Sequence, residues 1–393
     1  MRLPATRLRP LAGAAAVLVG GGMGCAAAPP LQSLSPSPPP EGTTTLYLVG
    51  DAGAVDARDP LLAQLREDVR ASAALGPTVV AFLGDNVYPS GVRASEPQLT
   101  RDTLILSRQL AAVSGTGARA LFIPGNHDWD EGSPEGLAAL ARQEAYFAGA
   151  AASGAPVDFL PRGGCPGPEV VELPGVRLVM VDTQWFLHDH RRGCPGWAPE
   201  AVAEAITGAL DGAGDRDVVL LTHHPLRTYG PHGGHFGLRS HLFPLTDFLS
   251  WGYLPLPVLG SFYVAVRRDG ITDQDLSGAE NETMRALLEE AMGAADRPPL
   301  LHAAGHEHSL QVIPGEPGGP GLYLVSGAGS KSTPVDRDEG ALVAASVPGY
   351  LKAEFTPDGA RVSVVPARGD GNARDVGWCG VVDRESREVA ACR

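Results

Sequence analysis

Aspartate, asparagine and histidine residues recur in this chain at the points where apolar segments end. They follow segments such as TTTLYLV, TVVAFL and DVVLL, whose nearly continuous apolar character is typical of strands buried on both faces. Because the carboxyl ends of such strands form the ligand-binding crevice of an α/β sheet, we expect these side chains to converge on one site. The set comprises Asp51, Asp85, Asn126, His127, His223, His306 and His308.

Carboxylates, imidazoles and carboxamide oxygens together bind divalent or trivalent metal ions of intermediate hardness. No cysteine lies in these motifs, which excludes a zinc-thiolate structural site. The potential ligands are too many for one ion with an open position, whereas two ions about 3.5–4 Å apart would use them all. Each motif has a plain alternative, since Gly-Asp is common at turns and Asn-His-Asp can form a capping turn. Their joint occurrence favours a metal centre.

The segments between these motifs alternate between strand and helix patterns. Helical periodicity of apolar residues follows Pro60, spans residues 97–113 and begins again at Ser133. Near the C-terminus, GYLKAEFTPDGARVSVVPA predicts a hairpin with Pro-Asp-Gly at its turn. No internal repeat and no second domain boundary is evident in the sequence. We therefore expect a single layered α/β domain.

Overall charge limits the classes of partner. The chain has 393 residues, of which 44% are hydrophobic and 19% charged, as is ordinary for a globular protein. Its formal net charge is −14, and no run of Lys or Arg occurs in its body, so we expect no nucleic-acid partner. An anionic substrate would have to be held by local chemistry such as metal ions, histidines or backbone N–H groups.

The first 25 residues have the pattern of a secretory signal. Three arginines precede an apolar segment, residues 11–21, that is too short and too rich in glycine for a membrane-spanning helix. The tetrapeptide GMGC, which ends at Cys25, is similar to a bacterial lipoprotein cleavage site, although Gly22 stands where such sites usually carry Leu. We favour a lipid anchor at Cys25, with ordinary signal-peptidase cleavage as the alternative.

The remainder of the chain divides into a linker and one domain. Residues 26–44 are rich in Pro and Ser and predict an extended tether, and residues 45–393 predict the catalytic domain. This organisation predicts an exported protein that is either a membrane-anchored lipoprotein, in the periplasm or at the cell surface, or secreted. We expect it to be a monomer.

Cysteine usage agrees with export. Four cysteines remain if Cys25 carries a lipid, and four thiols in an exported protein allow three pairings. Among these pairings we favour Cys165 with Cys194 and Cys379 with Cys392.

The ordered motifs GDAG, GDNVY, GNHD, HHP and GHEH resemble those of the calcineurin-like metallophosphoesterase superfamily. Within it, GDNVYPSGV and GHEHSLQ, the latter followed by GLYLVSGAGSK, resemble the purple acid phosphatases, particularly the small tartrate-resistant type. The resemblance extends from about Leu46 to Lys331, and the C-terminal hairpin is in keeping with it. It implies an α/β fold, a layered α-β-β-α sandwich with the metal site at the C-terminal ends of the strands.

The resemblance also implies two metal ions, each with its own ligands. Fe(III) would be held by Asp51, Tyr88 and His308. Zn, Mn or Fe(II) would be held by Asn126, His223 and His306, and Asp85 would bridge the two ions.

Two details of this assignment depend on where the motifs stand. In THHP, His223 is preferred to His224 because the family's ligand is the histidine two residues before this proline. The wider superfamily commonly has a histidine two residues after its first aspartate, where this chain has Gly53. Tyr88 would supply the missing ligand, since a hard Fe(III) ion binds a phenolate well.

The implied activity is that of an exported acid phosphatase, which hydrolyses small phosphate monoesters by attack of a metal-bound hydroxide. His127 and His232 match the family's substrate histidines and would bind the phosphate and assist the leaving group. His235, in the loop YGPHGGHFG, could take the place of His232. The alternative is a phosphodiesterase of the same superfamily acting on nucleotide or lipid-derived diesters. A non-catalytic surface lipoprotein is the hypothesis from another class.

One segment departs from the family pattern. Residues 236–285 are longer than expected between the histidine motifs and are rich in apolar, aromatic and proline residues. The segment could be a lid, a membrane-facing surface or, as the plainest interpretation, a layer packed over the core. Elsewhere we expect Asp128 and Asp182 either to support the metal ligands or to be ordinary turn residues, and His302 to lie in the core.

Overall fold

The computed structural model of this protein describes residues 41–56, 59–189, 194, 196–247, 252–335, 340–369 and 376–392. The predicted signal sequence, Cys25 and most of the predicted tether lie outside these ranges. Among the helices of the described part, none is long and apolar enough to cross a membrane.

The first of two sheets contains the N-terminal strands and the C-terminal hairpin. Its strands are β1 (Thr44–Val49), β2 (Thr78–Leu83), β3 (Arg119–Ile123), β4 (Val157–Phe159), β12 (Gly349–Thr356), β13 (Gly359–Pro366), β14 (Trp378–Asp383) and β15 (Val389–Ala391). Their order in the sheet is β15-β14-β13-β12-β1-β2-β3-β4. Neighbours from β1 to β4 are parallel, whereas β12 pairs with β1 antiparallel and forms the predicted hairpin with β13.

The second sheet contains the middle of the chain. Its strands are β5 (Glu169–Leu173), β6 (Val176–Met180), β7 (Asp217–Leu221), β8 (Leu301–Ala304), β9 (Leu310–Pro314), β10 (Leu322–Ser326) and β11 (Val343–Ala345). Their order is β11-β9-β10-β8-β7-β6-β5, in which β6, β7, β8 and β10 are parallel to their neighbours in that set.

Helices cover the outer face of each sheet. On the first sheet these are α1 (Pro60–Ala73), α2 (Gln98–Val113) and α3 (Gly136–Ala152). On the second they are α4 (Pro199–Asp211) and α7 (Ala279–Ala294). The departing segment, residues 236–285, forms α5 (Leu238–Leu242), α6 (Pro257–Arg268) and the start of α7.

The apolar character of the strands follows from this layering. In β1, Leu46 and Leu48 face the core between the sheets, where they join a cluster that includes Leu324 of the second sheet. The intervening Tyr47 faces the helices and packs in a cluster with Leu65 of α1. Because successive strand residues point to opposite faces and both faces are covered, the whole strand must be apolar.

The predicted α-β-β-α sandwich is therefore the architecture of the protein, and the helices predicted after the first three long strands are α1, α2 and α3. The favoured disulfide pairing is also confirmed, with Cys165 bonded to Cys194 and Cys379 bonded to Cys392. Two disulfides indicate a protein exported from the reducing cytoplasm.

Candidate metal centre

The candidate site lies where the carboxyl ends of strands from the two sheets meet. The Gly50 N–H donates to the Ser326 carbonyl at 2.7 Å, which joins the end of β1 to the end of β10. A Cβ atom at Gly50 would lie 2.8 Å from the Gly305 Cα, and one at Gly84 would lie 2.4 Å from Nδ1 of His223. The glycine that precedes each of these ligand positions is therefore required because the loops approach too closely for a side chain.

The residues that follow these glycines have a strained backbone. Asp51, Asp85 and His306 have φ values of 60°, 54° and 66°, in the left-handed region that residues other than glycine rarely adopt. Hydrogen bonds hold the two aspartates in place: the His306 N–H donates to Asp51 Oδ2 at 2.8 Å, and the His127 N–H donates to Asp85 Oδ1 at 3.0 Å. Such strain is concentrated at functional sites, where surrounding contacts maintain it.

One group of candidate ligands comprises Asp51, Tyr88 and His308. The Tyr88 hydroxyl lies 2.9 Å from Asp51 Oδ1 and 3.1 Å from His308 Nε2, and these latter two atoms are 3.3 Å apart. Tyr88 reaches this group because its loop packs directly on Gly53, whose carbonyl accepts from the Tyr88 N–H at 3.2 Å. A Cβ atom at Gly53 would lie 2.5 Å from the Asp85 carbonyl oxygen. Gly53 and Tyr88 are thus physically linked: the glycine makes room for the loop that carries the tyrosine.

The other group comprises Asn126, His223 and His306, and its donor atoms face one another. Asn126 Oδ1 is 2.9 Å from His223 Nε2 and 3.1 Å from His306 Nδ1, and the two nitrogen atoms are 3.2 Å apart. Each imidazole contacts a backbone carbonyl with its other nitrogen, His223 Nδ1 at Leu83 and His306 Nε2 at Gln274. Because a carbonyl oxygen can only accept, the proton of each neutral ring is on that outer nitrogen.

Three lone pairs therefore converge in this second group with no proton among them. The Asn126 amide is oriented by its nitrogen, which donates to Glu131 Oε2 at 3.0 Å, so that its oxygen faces the two imidazoles. Burial and the neighbouring histidines hold the pKa of His306 well below its ordinary value, which favours the neutral ring. Two imidazole nitrogens and an amide oxygen arranged in this way fit a divalent metal ion of intermediate hardness.

Asp85 lies between the two groups. Its Oδ1 is 3.5 Å from Nε2 of His223, and carboxylate oxygens of Asp51 and Asp85 lie within 4.8 Å of each other and of a His223 nitrogen. Burial alone would raise the pKa of the Asp85 carboxyl, but the charge of His127 and the hydrogen bond from the His127 N–H lower it, which favours the ionised form. Its position and charge fit a ligand shared by two cations.

The pKa of the Tyr88 phenol is raised well above its ordinary value by burial and by the charges of Asp51 and Asp85. The phenol would therefore ionise only beside a strong cation. One cation already contacts the ring, since Lys331 Nζ lies 3.2 Å from the ring centroid of Tyr88. Sequence reasoning missed Lys331, although the residue belongs to the SGAGSK segment that resembles the phosphatases.

Asp128 holds the loops that carry the ligands. This buried carboxylate accepts from the Gly125 N–H at 2.8 Å and from the Asn86 N–H at 3.0 Å, and so ties the loop after β3 to the loop after β2. Burial and the Asp85 charge raise the pKa of Asp128 to about 7. The structure places Asp128 as predicted, in support of the metal loops and not among the converging donor atoms.

The two predicted substrate histidines lie on different sides of the site. The His127 ring is 4.4 Å from the Tyr88 ring, and the His232 ring is 4.1 Å from the His306 ring. Burial lowers the pKa of His127, but the Asp85 and Glu131 carboxylates outweigh it and raise the value to about 9.

His232 is likewise biased toward the charged form. Burial lowers its pKa, whereas a hydrogen bond to Asp275 and the charge of Glu307 raise it above the ordinary value. The alternative substrate histidine, His235, packs instead against Tyr229, with ring centroids 5.2 Å apart.

His224 and His302 are distinguished from the candidate ligands by their hydrogen-bond partners, which are polar side chains outside the two ligand groups. Both nitrogens of His224 contact neighbouring side chains, Thr183 Oγ1 and Gln274 Oε1, at 2.9 Å each, although its ring lies near His223 and His306. His302 is buried in β8, contacts Thr222 Oγ1 at 2.9 Å, and burial lowers its pKa to about 3. Sequence reasoning missed Gln274, which no motif distinguished from an ordinary polar turn residue.

Comparisons with known proteins bear on the fold. No family model matches the chain, and no curated protein sequence matches it. The structure of PhoD is similar, with a TM-score of 0.54 and 11% identity, over 91% of this chain and 73% of that chain. The structure of GAP50, described as the anchor in the inner membrane complex of Plasmodium, is also similar. Its TM-score is 0.51 at 12% identity, and the match covers 87% of this chain and 89% of that chain.

At these identities the likenesses concern the fold alone. They confirm the layered α/β sandwich. The resemblance to the metallophosphoesterase superfamily rests on the sequence motifs and stays a prediction. The finer resemblance to the small tartrate-resistant phosphatases stays a prediction.

The assignment of His223 rather than His224 as a ligand is testable. We expect His223→Ala to weaken binding of one metal ion by more than the roughly 10–100-fold that loss of an outer partner costs, because a direct donor is removed. His224→Ala is the matched control and should lose no more than that range. Metal titration followed by elemental analysis after dialysis measures both. An equal or larger loss in His224→Ala would transfer the ligand role to that residue.

Asp182 predicts a pH dependence of stability in the metal-free protein. Its buried carboxylate accepts from Trp129 Nε1 at 2.7 Å, and burial raises its pKa to about 7. The native state therefore retains a proton that the unfolded chain loses near pH 4, so this group's contribution to stability declines from about pH 4 to pH 7.

We expect Asp182→Asn, which cannot ionise, to remove up to about 4 kcal/mol of this decline. Relative to the wild type, the variant should gain stability between pH 4.5 and pH 8, as measured by urea unfolding in the presence of a chelator. A constant difference between the two proteins across that range would contradict the prediction.

Proposed function

We propose that this protein is an exported hydrolase of phosphoric esters that uses two metal ions and acts on small phosphate monoesters. The observation that carries the proposal is the convergence of proton-free donor atoms from Asn126, His223 and His306. Beside it lies a second group that contains a phenol, and the ionised carboxylate of Asp85 stands between the groups. Paired ions of this kind are suited to stabilising the attacking and leaving oxygens of a phosphoryl group.

We propose Fe(III) for the group of Asp51, Tyr88 and His308, in keeping with the resemblance to the small tartrate-resistant phosphatases. A hard trivalent ion would overcome the raised pKa of the Tyr88 phenol. Zn, Mn or Fe(II) suits the imidazole and amide donors of the other group. When bound, the two ions would supply Lewis acidity and a water of lowered pKa at mildly acidic pH.

The chain's own residues then bind the anion and manage its protons. Three cations face the site from different directions: His127 beside Tyr88, His232 beside His306, and Lys331 over the Tyr88 ring. In a chain with a net charge of −14, this local positive charge supports an anionic substrate. His127 and His232 would hold the phosphate oxygens, and one of them would protonate the leaving alkoxide.

Two other functions compete with this proposal. A phosphodiesterase would use the same donor groups and differ in the walls of the pocket. A non-catalytic protein with this fold is the second alternative, and the similar structure of GAP50 is described as an anchor. All seven expected ligand positions carry a residue that can bind a metal ion, which favours a catalytic protein over one that only binds a partner.

The location follows from the N-terminal sequence. We propose that Cys25 carries a lipid that holds the domain at a membrane, with residues 26–44 as the tether, and that the domain acts as a monomer on small phosphorylated substrates. Secretion after ordinary cleavage is the alternative.

Substrate class is decided by comparing two chromogenic esters. Protein loaded with iron and zinc should hydrolyse p-nitrophenyl phosphate with a kcat/KM at least about tenfold above that for bis-p-nitrophenyl phosphate, because the monoester dianion matches the cationic site better. The control Asp85→Asn keeps the side-chain shape and should reduce kcat on the order of 100-fold or more. Faster diester hydrolysis would favour the phosphodiesterase, and two bound ions without hydrolysis would favour the non-catalytic protein.

Iron bound by Tyr88 predicts colour. The protein grown with iron should show a visible tyrosinate charge-transfer band, and Tyr88→Phe should lose this band while retaining its fold. Tyr146→Phe, on the outer helix α3, is the matched control and should keep the band. An unchanged band in Tyr88→Phe would contradict the assignment of Tyr88 as an iron ligand. A colourless wild-type protein that contains two zinc or manganese ions would exclude a phosphatase of the purple acid type.

A further inference from the structure

The segment of residues 236–285 reaches the candidate metal centre through one turn. After α6 ends at Arg268, residues 272–276 form a turn that leads toward α7. Two side chains of this turn, Gln274 and Asp275, contact histidines of the site. Neither residue belongs to a motif that resembles the metallophosphoesterases.

Asp275 contacts the substrate histidine directly. Its carboxylate is 1% exposed, and its Oδ1 lies 2.9 Å from Nδ1 of His232. Arg267 of α6 donates to both carboxylate oxygens of Asp275. The third nitrogen of the Arg267 guanidinium donates to the Tyr263 hydroxyl at 2.8 Å, so α6 fixes the carboxylate in place.

His232 lies in a short 3-10 turn, Pro231–Gly233, whose hydrogen bonds shape the backbone of its loop. The contact to the Nδ1 atom of its ring comes from outside that loop, from Asp275. The His232 carbonyl accepts from the Leu276 N–H at 2.8 Å, and its N–H donates to Glu307 Oε2 at 3.0 Å. The backbone and the ring of His232 are therefore both held by residues 275–276.

Gln274 extends this support to two further histidines. Its backbone carbonyl accepts from Nε2 of His306 at 2.9 Å, which directs Nδ1 of that ring into the site. Its side-chain oxygen lies 2.9 Å from Nε2 of His224, and its side-chain nitrogen donates to Gln184 at 3.1 Å. A single turn thus contacts three histidine rings, two from the connection between β7 and α5 and one from the loop after β8.

We propose that the turn of residues 272–276 is an active-site element, in which Asp275 is a positioning residue that holds His232 over the metal centre. A carboxylate on Nδ1 fixes the orientation of an imidazole ring, and so would aim Nε2 of His232 at the phosphate position. The segment then belongs to the site that binds phosphate and is more than a layer packed over the core. This inference rests on the proposed function of that site.

The test combines Asp275→Ala with His232→Ala in a double-mutant cycle. We expect Asp275→Ala to raise KM for p-nitrophenyl phosphate, and the Kd for inorganic phosphate measured by calorimetry, about tenfold, with a smaller change in kcat. In the His232→Ala background the same change should have less than about a twofold effect, because Asp275 acts through the ring that is missing. Asp275→Glu, which keeps the carboxylate, should recover part of the loss.

A matched control is available on the far side of the second sheet. Asp217, at the start of β7, is 4% exposed and is bound by Arg384 through two contacts of 2.8 Å. Asp217→Ala should lower the melting temperature but leave KM and the phosphate Kd unchanged in both backgrounds. This comparison separates loss of a buried ion pair from loss of positioning.

Two results would overturn the proposal. One is that Asp275→Ala weakens phosphate affinity equally in both backgrounds, and the other is that it lowers kcat and the amount of bound metal in parallel. Should Asp275→Ala fail to fold, Asp275→Asn enters the same cycle and should lose at least about threefold in phosphate affinity only where His232 is present. If the wild type hydrolyses no ester, the proposed function fails, and the phosphate titration alone still decides the role of Asp275. If the wild type also binds no phosphate, both proposals fail.

Discussion

The centre of this structure depends on electron pairs that face one another without a proton between them. Two backbone carbonyls, at Leu83 and Gln274, accept hydrogen bonds from the outer ring N–H groups of His223 and His306. The inner nitrogens and the Asn126 oxygen then repel one another unless a cation lies among them. Loops from both sheets and from the segment of residues 236–285 must therefore be held together by contacts outside this group.

Those contacts explain the features that surround the site. Glycines at the strand ends let the loops approach, and the left-handed residues that follow them turn their side chains inward at a local energetic cost of about 1–3 kcal/mol each. A buried carboxylate, Asp128, accepts backbone N–H groups from two loops at once. The strands that carry these loops are buried on both faces. Their close packing is rigid and maintains the strained backbone of the residues at the strand ends.

The ligand positions and the first three helices were predictable from the sequence, because each is marked by residues that lie close together in the chain. Each ligand follows an apolar strand within a few residues, and α1 to α3 show their own periodicity. Helix α4 was not predicted from the sequence, although Pro199 at its start and the spacing of the apolar residues 202, 206 and 210 are typical of a helix. Gln274 and Asp275 could not be found in this way, because TDQDLSG has the composition of a solvated turn. Their position depends on the packing of α6, which is a tertiary effect.

The GHEH segment shows how few residues connect the parts of the site. His306 faces the amide and imidazole group, and His308, two residues further along a bent segment, faces the phenol group. Glu307 between them points the opposite way, where its carboxylate accepts from the His232 N–H and packs against Gly230 so closely that a Cβ there would lie 2.1 Å away. Three consecutive residues therefore position both candidate metal groups and the loop of the substrate histidine. A shift of this segment would disturb ion binding and anion binding together.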